Sequence, residues 1–175
     1  VQGDIFATDF SQATVVTMYL LPALNMKLRP TLLAMKPGTR VVSHSFTMED
    51  WEADETSSMD GRRAYFWVVP ANVNGGWALE SGTDKHELVF EQKFQKIEGT
   101  IGLGHIQGGL RFARLNGANI SFTWVDNSGV LRNYTGRVTG GDKVQKLNVL
   151  ANAYYSAGDL RKSIDATERL IAARG

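Results

Sequence analysis

The sequence predicts an α/β protein in three parts: a partial, largely parallel sheet, a small antiparallel β meander, and a helical hairpin. Three observations lead there. Two valine-rich runs, residues 13–21 and 40–45, flank an amphipathic segment. The apolar period then shifts to two between residues 87 and 138, and to helical spacing after residue 143.

Each element has a local reason. Residues 13–21 form a nearly continuous apolar and β-branched run, as in a parallel strand covered on both faces. Pro22 ends it. Leu24, Leu28 and Leu32 recur every four residues and predict a helix packed on one side. Pro30 falls inside that pattern, either as a kink or as the first turn of a second half. Lys36-Pro37-Gly38 is a helix stop, and Val41-Val42 opens the next strand. Strand, helix and strand with short joints make a βαβ unit with a right-handed crossover. Residues 47–63 are acidic and read as a solvated loop. Residues 64–69 read as a third buried strand, and Gly75-Gly76 as a turn into Trp77-Ala78-Leu79, which pairs back antiparallel.

In the middle of the chain Leu88, Phe90, Gln92 and Phe94 alternate, as do Ile120, Phe122 and Trp124, followed by Tyr134 and Val138. The clusters Gly102-Leu103-Gly104, Gly108-Gly109, Asn116-Gly117 and Asp126-Asn127-Ser128-Gly129 supply hairpin signals, so a meander of about five strands is expected. In the tail, Leu147, Leu150, Ala151 and Tyr154 share a helical face, Gly158-Asp159 breaks and recaps, and Ile164, Thr167, Leu170 and Ile171 make a second face. The expected domains are therefore residues 1–80, 81–142 and 143–175.

Composition narrows the function. A net charge of +1 creates no field that would draw in nucleic acid or an anionic membrane, so neither is expected as a partner. With no cysteine there is no disulfide, thiolate nucleophile or Cys-bound zinc. His86 and His105 have no carboxylate or imidazole at ligand spacing, so no metal is expected. No apolar run is long enough to span a bilayer and no signal peptide precedes the first strand, which leaves cytoplasm and periplasm equally open. The first residue is Val, as expected of a processed chain or a fragment. A hydrolase is disfavoured: Ser43 and His44 are adjacent and point opposite ways on a strand, and no Gly-x-Ser-x-Gly elbow exists.

The ordered string Gly3-Asp4-Ile5-Phe6, residues 13–22, Leu24-Asn25, Lys27-Leu28-Arg29-Pro30 and residues 36–44 resembles a bacterial group of class I S-adenosylmethionine-dependent methyltransferases, themselves similar to protein-lysine methyltransferases. The resemblance covers residues 1–80 well and extends loosely to about residue 141. It implies the C-terminal half of a Rossmann-like methyltransferase domain, with S-adenosylmethionine as cofactor and an amine, such as a protein lysine, as methyl acceptor. Asp4 then ends the family's third strand and accepts from the adenine amino group, with Ile5 and Phe6 against the ring. Tyr19 and Leu20 end the fourth strand beside the transferred methyl. Tyr19 lines the transfer site, Asn25 accepts hydrogens of the acceptor amine, and His44, closing the fifth strand, acts as base or substrate contact.

Two features depart from that pattern. The family's glycine-rich cofactor loop belongs upstream of residue 1, so the chain by itself is not expected to bind the cofactor tightly, and its competence as an enzyme stays open. The tail places Leu147, Ala151, Tyr154, Gly158 and Ile164 at the spacing of a single tetratricopeptide repeat, which cannot bury its own face. An alternative function follows: a non-catalytic assembly module that docks partners through an open sheet edge and the terminal helix pair, as a homo-oligomer or with a partner that completes the sheet.

Overall fold

The computed structural model of the chain describes residues 2–81, 84–103, 106–126, 128–139, 146–154 and 164–171. The fold is mostly β, in two compact units, residues 1–71 and 72–175.

The first unit contains β1 (Val15–Met18), α1 (Pro22–Leu33), β2 (Arg40–His44), β3 (Glu55–Met59) and β4 (Arg62–Val68). Its sheet has the order β1-β2-β4-β3. β1 and β2 run parallel, in register from Val15 opposite Arg40 to Met18 opposite Ser43. β4 is antiparallel to both of its neighbours. The expected strand–helix–strand is thus present. Pro22 stands at the start of α1, where its missing N–H is not needed. The helix runs through Pro30 and closes when Ala34 N–H donates to Pro30 O at 3.1 Å. Gly38 then takes φ 95°, a conformation that costs glycine little, and its N–H donates to Val69 O at 2.8 Å.

Pairing fixes which side chains share a face. Met18, Val41, Ser43 and Trp67 are buried on one side. Thr17, Val42, His44 and Phe66 lie on the other and are half-buried or exposed. The first strand is therefore not covered on both faces as expected. It is short, it sits at the sheet edge, and Val15 is exposed. The acidic loop is also corrected in part. Its second half is β3, joined to β4 by the two-residue turn Asp60-Gly61, with φ of 50° and 74°.

The second unit contains β5 (Gly75–Ser81), β6 (Asp84–Lys93), β7 (Lys96–Leu103), β8 (Ile106–Gly109), β9 (Arg111–Asn116), β10 (Asn119–Val125), β11 (Leu131–Thr139), β12 (Lys146–Tyr154) and β13 (Ile164–Ile171). They form one sheet of order β8-β7-β6-β5-β13-β12-β11-β10-β9, antiparallel throughout. Three expectations change here. β5 does not pair back on the 64–69 strand, because its partners are β6 and β13. The meander holds more strands than expected and makes its own sheet. The tail, expected as a helical hairpin over 143–175, contributes β12 and β13. Leu147, Val149, Ala151 and Ala153 alternate with Asn148 and Asn152, so the run also carries the strand period, and pairing with β11 follows it. Gly104, His105, Gly158 and Asp159 lie outside the described residues.

Leu88, Phe90, Ile120, Phe122, Trp124 and Tyr134 do enter the core, together with Trp77 and Leu79. The rings of Phe122 and Tyr134 stack at 4.9 Å, and Phe90 meets Phe122 edge-on at 5.7 Å. Gly108 is not a turn residue. It lies in β8, and a Cβ there would sit 2.7 Å from Trp124 Nε1 of β10. β8 and β9 are the two ends of the sheet and only Leu110 separates them in the chain, so the sheet curls until its ends approach.

The Asp126 turn has a titratable consequence. Burial pushes its carboxyl up, but the N–H groups of Val130 and Ser128 and the Arg132 guanidinium at 3.0 Å outweigh this and hold it below the usual carboxylate value. A depressed folded pKa stabilises above the unfolded pKa, and that stability is lost as pH falls through the folded one. The wild type is therefore expected to lose more stability than Asp126→Asn between about pH 4 and pH 2. Urea midpoints measured across that range check this, and parallel curves would exclude it.

Candidate functional site

In an open sheet with parallel strands, ligands enter at the carboxyl ends of the strands. β1 and β2 are the parallel pair, and each delivers an aromatic ring at that end. Tyr19 directly follows β1, and His44 is the last residue of β2. The rings stack at 4.7 Å with 28° between their planes. Tyr19 is 82% exposed, and His44 is half-buried beneath it.

Around the stack lies a cleft of about 310 Å³, lined by Tyr19, Leu20, Leu21, His44, Ser45 and Phe46 and mostly apolar. His44 Nδ1 lies 3.0 Å from Ser45 Oγ, a hydrogen bond whose polarity depends on the imidazole tautomer. Ser45 takes φ 66°, uncommon for a residue with a Cβ. Its N–H donates to Arg63 O at 2.8 Å, and Phe46 N–H turns back to His44 O at 2.9 Å. Tyr19, Leu20 and His44, expected from sequence, are thus brought together. Leu21, Ser45 and Phe46 were not anticipated. The rule that a crevice forms just past parallel strands would have flagged the two residues after His44.

Asn25 sits elsewhere than expected. It is fully buried on α1, in the stripe of Leu28 and Leu32. One Nδ2 hydrogen goes to Ser43 Oγ at 3.0 Å and the other is shared between Phe46 O and Thr47 O at 3.4 Å each. Two backbone carbonyls facing the group fix the amide orientation, because a flip would set oxygen against oxygen. Asn25 therefore lies under the 43–47 turn and presents no surface to the cleft.

Asp4 is exposed and closes its own turn: Oδ1 accepts Phe6 N–H at 2.9 Å, and its carbonyl accepts the N–H groups of Ala7 and Thr8. Ile5 is half-buried. The Phe6 ring carries the Lys27 ammonium 4.2 Å from its centre, which fastens this turn to α1. No hydrogen bond or ring contact joins it to the Tyr19–His44 cleft among the described residues. Among those residues no group of His, Asp and Glu is placed to hold a metal, and no helix is long and apolar enough to cross a membrane.

Residues 1–55 match the sequence profile of the ANTKMT methyltransferase domain. A protein-lysine N-methyltransferase of Saccharolobus islandicus is 48% identical over 74 residues, covering 39% of this chain and 46% of the relative. The crystal structure of an RNA methyltransferase from Salinibacter ruber in complex with S-adenosyl-L-homocysteine aligns with 50% identity and a TM-score of 0.40, over 42% of this chain and 48% of that one. The chain spans about half the length of these relatives.

Proposed function

We propose, from the premise that residues 1–55 are protein-lysine-methyltransferase-like, that the protein transfers a methyl group from S-adenosylmethionine to an amine, the side chain of a protein lysine. The observation that carries this is the Tyr19–His44 stack at the carboxyl ends of two parallel strands, beside an apolar cleft.

The cleft suits a lysine acceptor on three counts. Leu20, Leu21 and Phe46 offer apolar surface to its methylene stem. The exposed Tyr19 ring attracts an ammonium through its face. Desolvation there lowers the amine pKa, which favours the neutral form that must attack. The donor supplies an electrophilic methyl on a sulfonium. The amine lone pair forms the new N–C bond as the S–C bond breaks, its electrons return to sulfur, and the methylated ammonium loses a proton. Little acid–base help is needed, so alignment supplies most of the rate. In the tautomer in which His44 Nδ1–H donates to Ser45 Oγ, Nε2 carries the lone pair that takes that proton.

The residues proposed for the donor's adenosine end are those of the turn before β1. Asp4 is an exposed carboxylate able to accept from an exocyclic amine, and Phe6, 39% exposed, offers a ring face nearby in sequence. Asp4, Ile5 and Phe6 would hold that end, and Tyr19 and Leu20 the methyl end.

Transfer of radiolabelled methyl from S-adenosylmethionine to lysine-bearing protein, by the natural protein, tests the proposal. Tyr19→Phe is expected to keep most activity. Tyr19→Ala should lose about 1–2 kcal/mol of acceptor positioning, roughly 5- to 30-fold in kcat/KM. Absence of any label on lysine, or equal rates for the two variants, would reject it.

A further inference from the structure

We infer that Asn25 is a positioning residue: its buried amide holds the 43–47 turn so that His44 lies against Tyr19. The catalytic consequence rests on the methyl-transfer reading above, but the geometric one does not.

Asn25 belongs to α1 and its three acceptors belong to β2 and the turn after it, 18 to 22 residues away in sequence. One side chain thus ties the crossover helix to the end of the second parallel strand. It contacts Ser43 Oγ just before His44, and the carbonyls of Phe46 and Thr47 just after Ser45. Between these anchors Ser45 is held at φ 66° and Phe46 N–H closes on His44 O. A positive φ at serine is maintained only where the surroundings over-determine it. The Ser45 N–H bond to Arg63 O, the Ser45 Oγ contact with His44 Nδ1 and the Phe46 N–H bond to His44 O are local restraints, and the Asn25 amide adds the ones that tie the turn to the helix. On the far side of the same strand end, alternation turns His44 away from Ser43, toward the exposed Tyr19 ring. Without the amide, two carbonyls and a hydroxyl lose their donor. The turn is then free to relax, and the imidazole leaves the stack.

The His44 Cε1–H resonance reads this directly, because a stacked tyrosine shifts it by its ring current and the chain has only three histidines. Two variants separate geometry from folding. Asn25→Leu continues the apolar stripe of Leu28 and Leu32, so the unit stays folded while the donor disappears. Asn25→Asp keeps the shape and, at neutral pH, sets oxygen against the two carbonyls. In both, the His44 signal is expected to move to the position of an unstacked imidazole while the signals of the buried Trp51 and Trp67 stay put. Ser43→Ala removes one of the three bonds and should move it less. In the methyl-transfer assay, Asn25→Leu should lower kcat about 10- to 100-fold and alter KM for the donor little. An unchanged His44 resonance in Asn25→Leu would overturn the inference. A displaced resonance in a protein whose wild type methylates no amine would keep the positioning role and reject the proposed reaction.

Discussion

Replacing Trp67 by alanine is expected to open the first unit from its centre. Trp67 is fully buried on β4, opposite Val41 of β2, and its ring lies 5.9 Å from that of Trp51, which is also fully buried. Its Nε1 donates to Trp51 O at 2.9 Å. Truncation to alanine removes the largest contact on the buried face, at a cost of about 3–5 kcal/mol for a core tryptophan. It also leaves the Trp51 carbonyl without that donor, a further cost of about 1 kcal/mol or more. Amides of residues 41–44 and 64–68 should then exchange with solvent roughly three to four orders of magnitude faster. Trp67→Phe retains a ring and loses the hydrogen bond and part of the packed volume, so it should fall between. Wild-type exchange in Trp67→Ala would mean that the sheet is held elsewhere. The prediction bears on function because His44 ends the strand that Trp67 supports.

Much of this unit was legible in its residues. The β-branched run, Pro22, the spacing of Leu28 and Leu32 and the Lys36-Pro37-Gly38 stop each report a local constraint, and together they give the strand, helix and strand observed. β3 was not legible, for a physical reason. All five of its residues are exposed, so no face selects apolar side chains and no alternation of period two results. The acidic composition of the stretch then outweighed the one signal present, Asp60-Gly61. In the site, Tyr19 and His44 could be placed because both sit where strands end. Asn25 could be located on the helix, but the direction of its side chain was misjudged. The clue was its spacing to Leu28 and Leu32, which sets a polar residue inside the apolar stripe and so asks for buried hydrogen bonds.

The second unit shows where single-sequence reading stops. Alternation identified the inward side chains of β6, β10 and β11, because burial of one face leaves that mark. Strand order left none. β13, the last strand among the described residues, lies between β5 and β12, a long-range pairing that no local residue encodes. The tail illustrates a second limit: Leu147, Leu150, Ala151 and Tyr154 satisfy one period, and Leu147, Val149, Ala151 and Ala153 the other. A run of nine residues does not decide between them, so the partner strand does.

The glycines of this sheet yield the other large effect, and here sequence and structure predict opposite outcomes. Read as turn signals, Gly108 and Gly109 are the sensitive positions near β8. In the structure Gly109 has open space where a side chain would go, whereas Gly99, inside β7, has none. A Cβ on Gly99 would press into the Val89 carbonyl oxygen and meet Leu110 Cδ1 and Phe90 Cδ1 at 3.2 Å. A backbone atom cannot rotate away as a side chain can, so the β6–β7 ladder must shift where Gly99 faces Phe90. Gly99→Ala is therefore expected to cost about 3 kcal/mol, the upper end of overpacking in a tight interior. Gly109→Ala should stay within about 0.5 kcal/mol of wild type, because removing backbone freedom from the unfolded chain offsets what little is lost in the fold. Urea unfolding followed by the fluorescence of Trp77 and Trp124, both buried in this unit, compares the two. A lower midpoint for Gly99→Ala alone fits a sheet curled so tightly that β7 admits no methyl group at its crossing with residue 110. Equal midpoints, or a greater loss for Gly109→Ala, would mean that these glycines serve turns and that the curl is not what packs the unit.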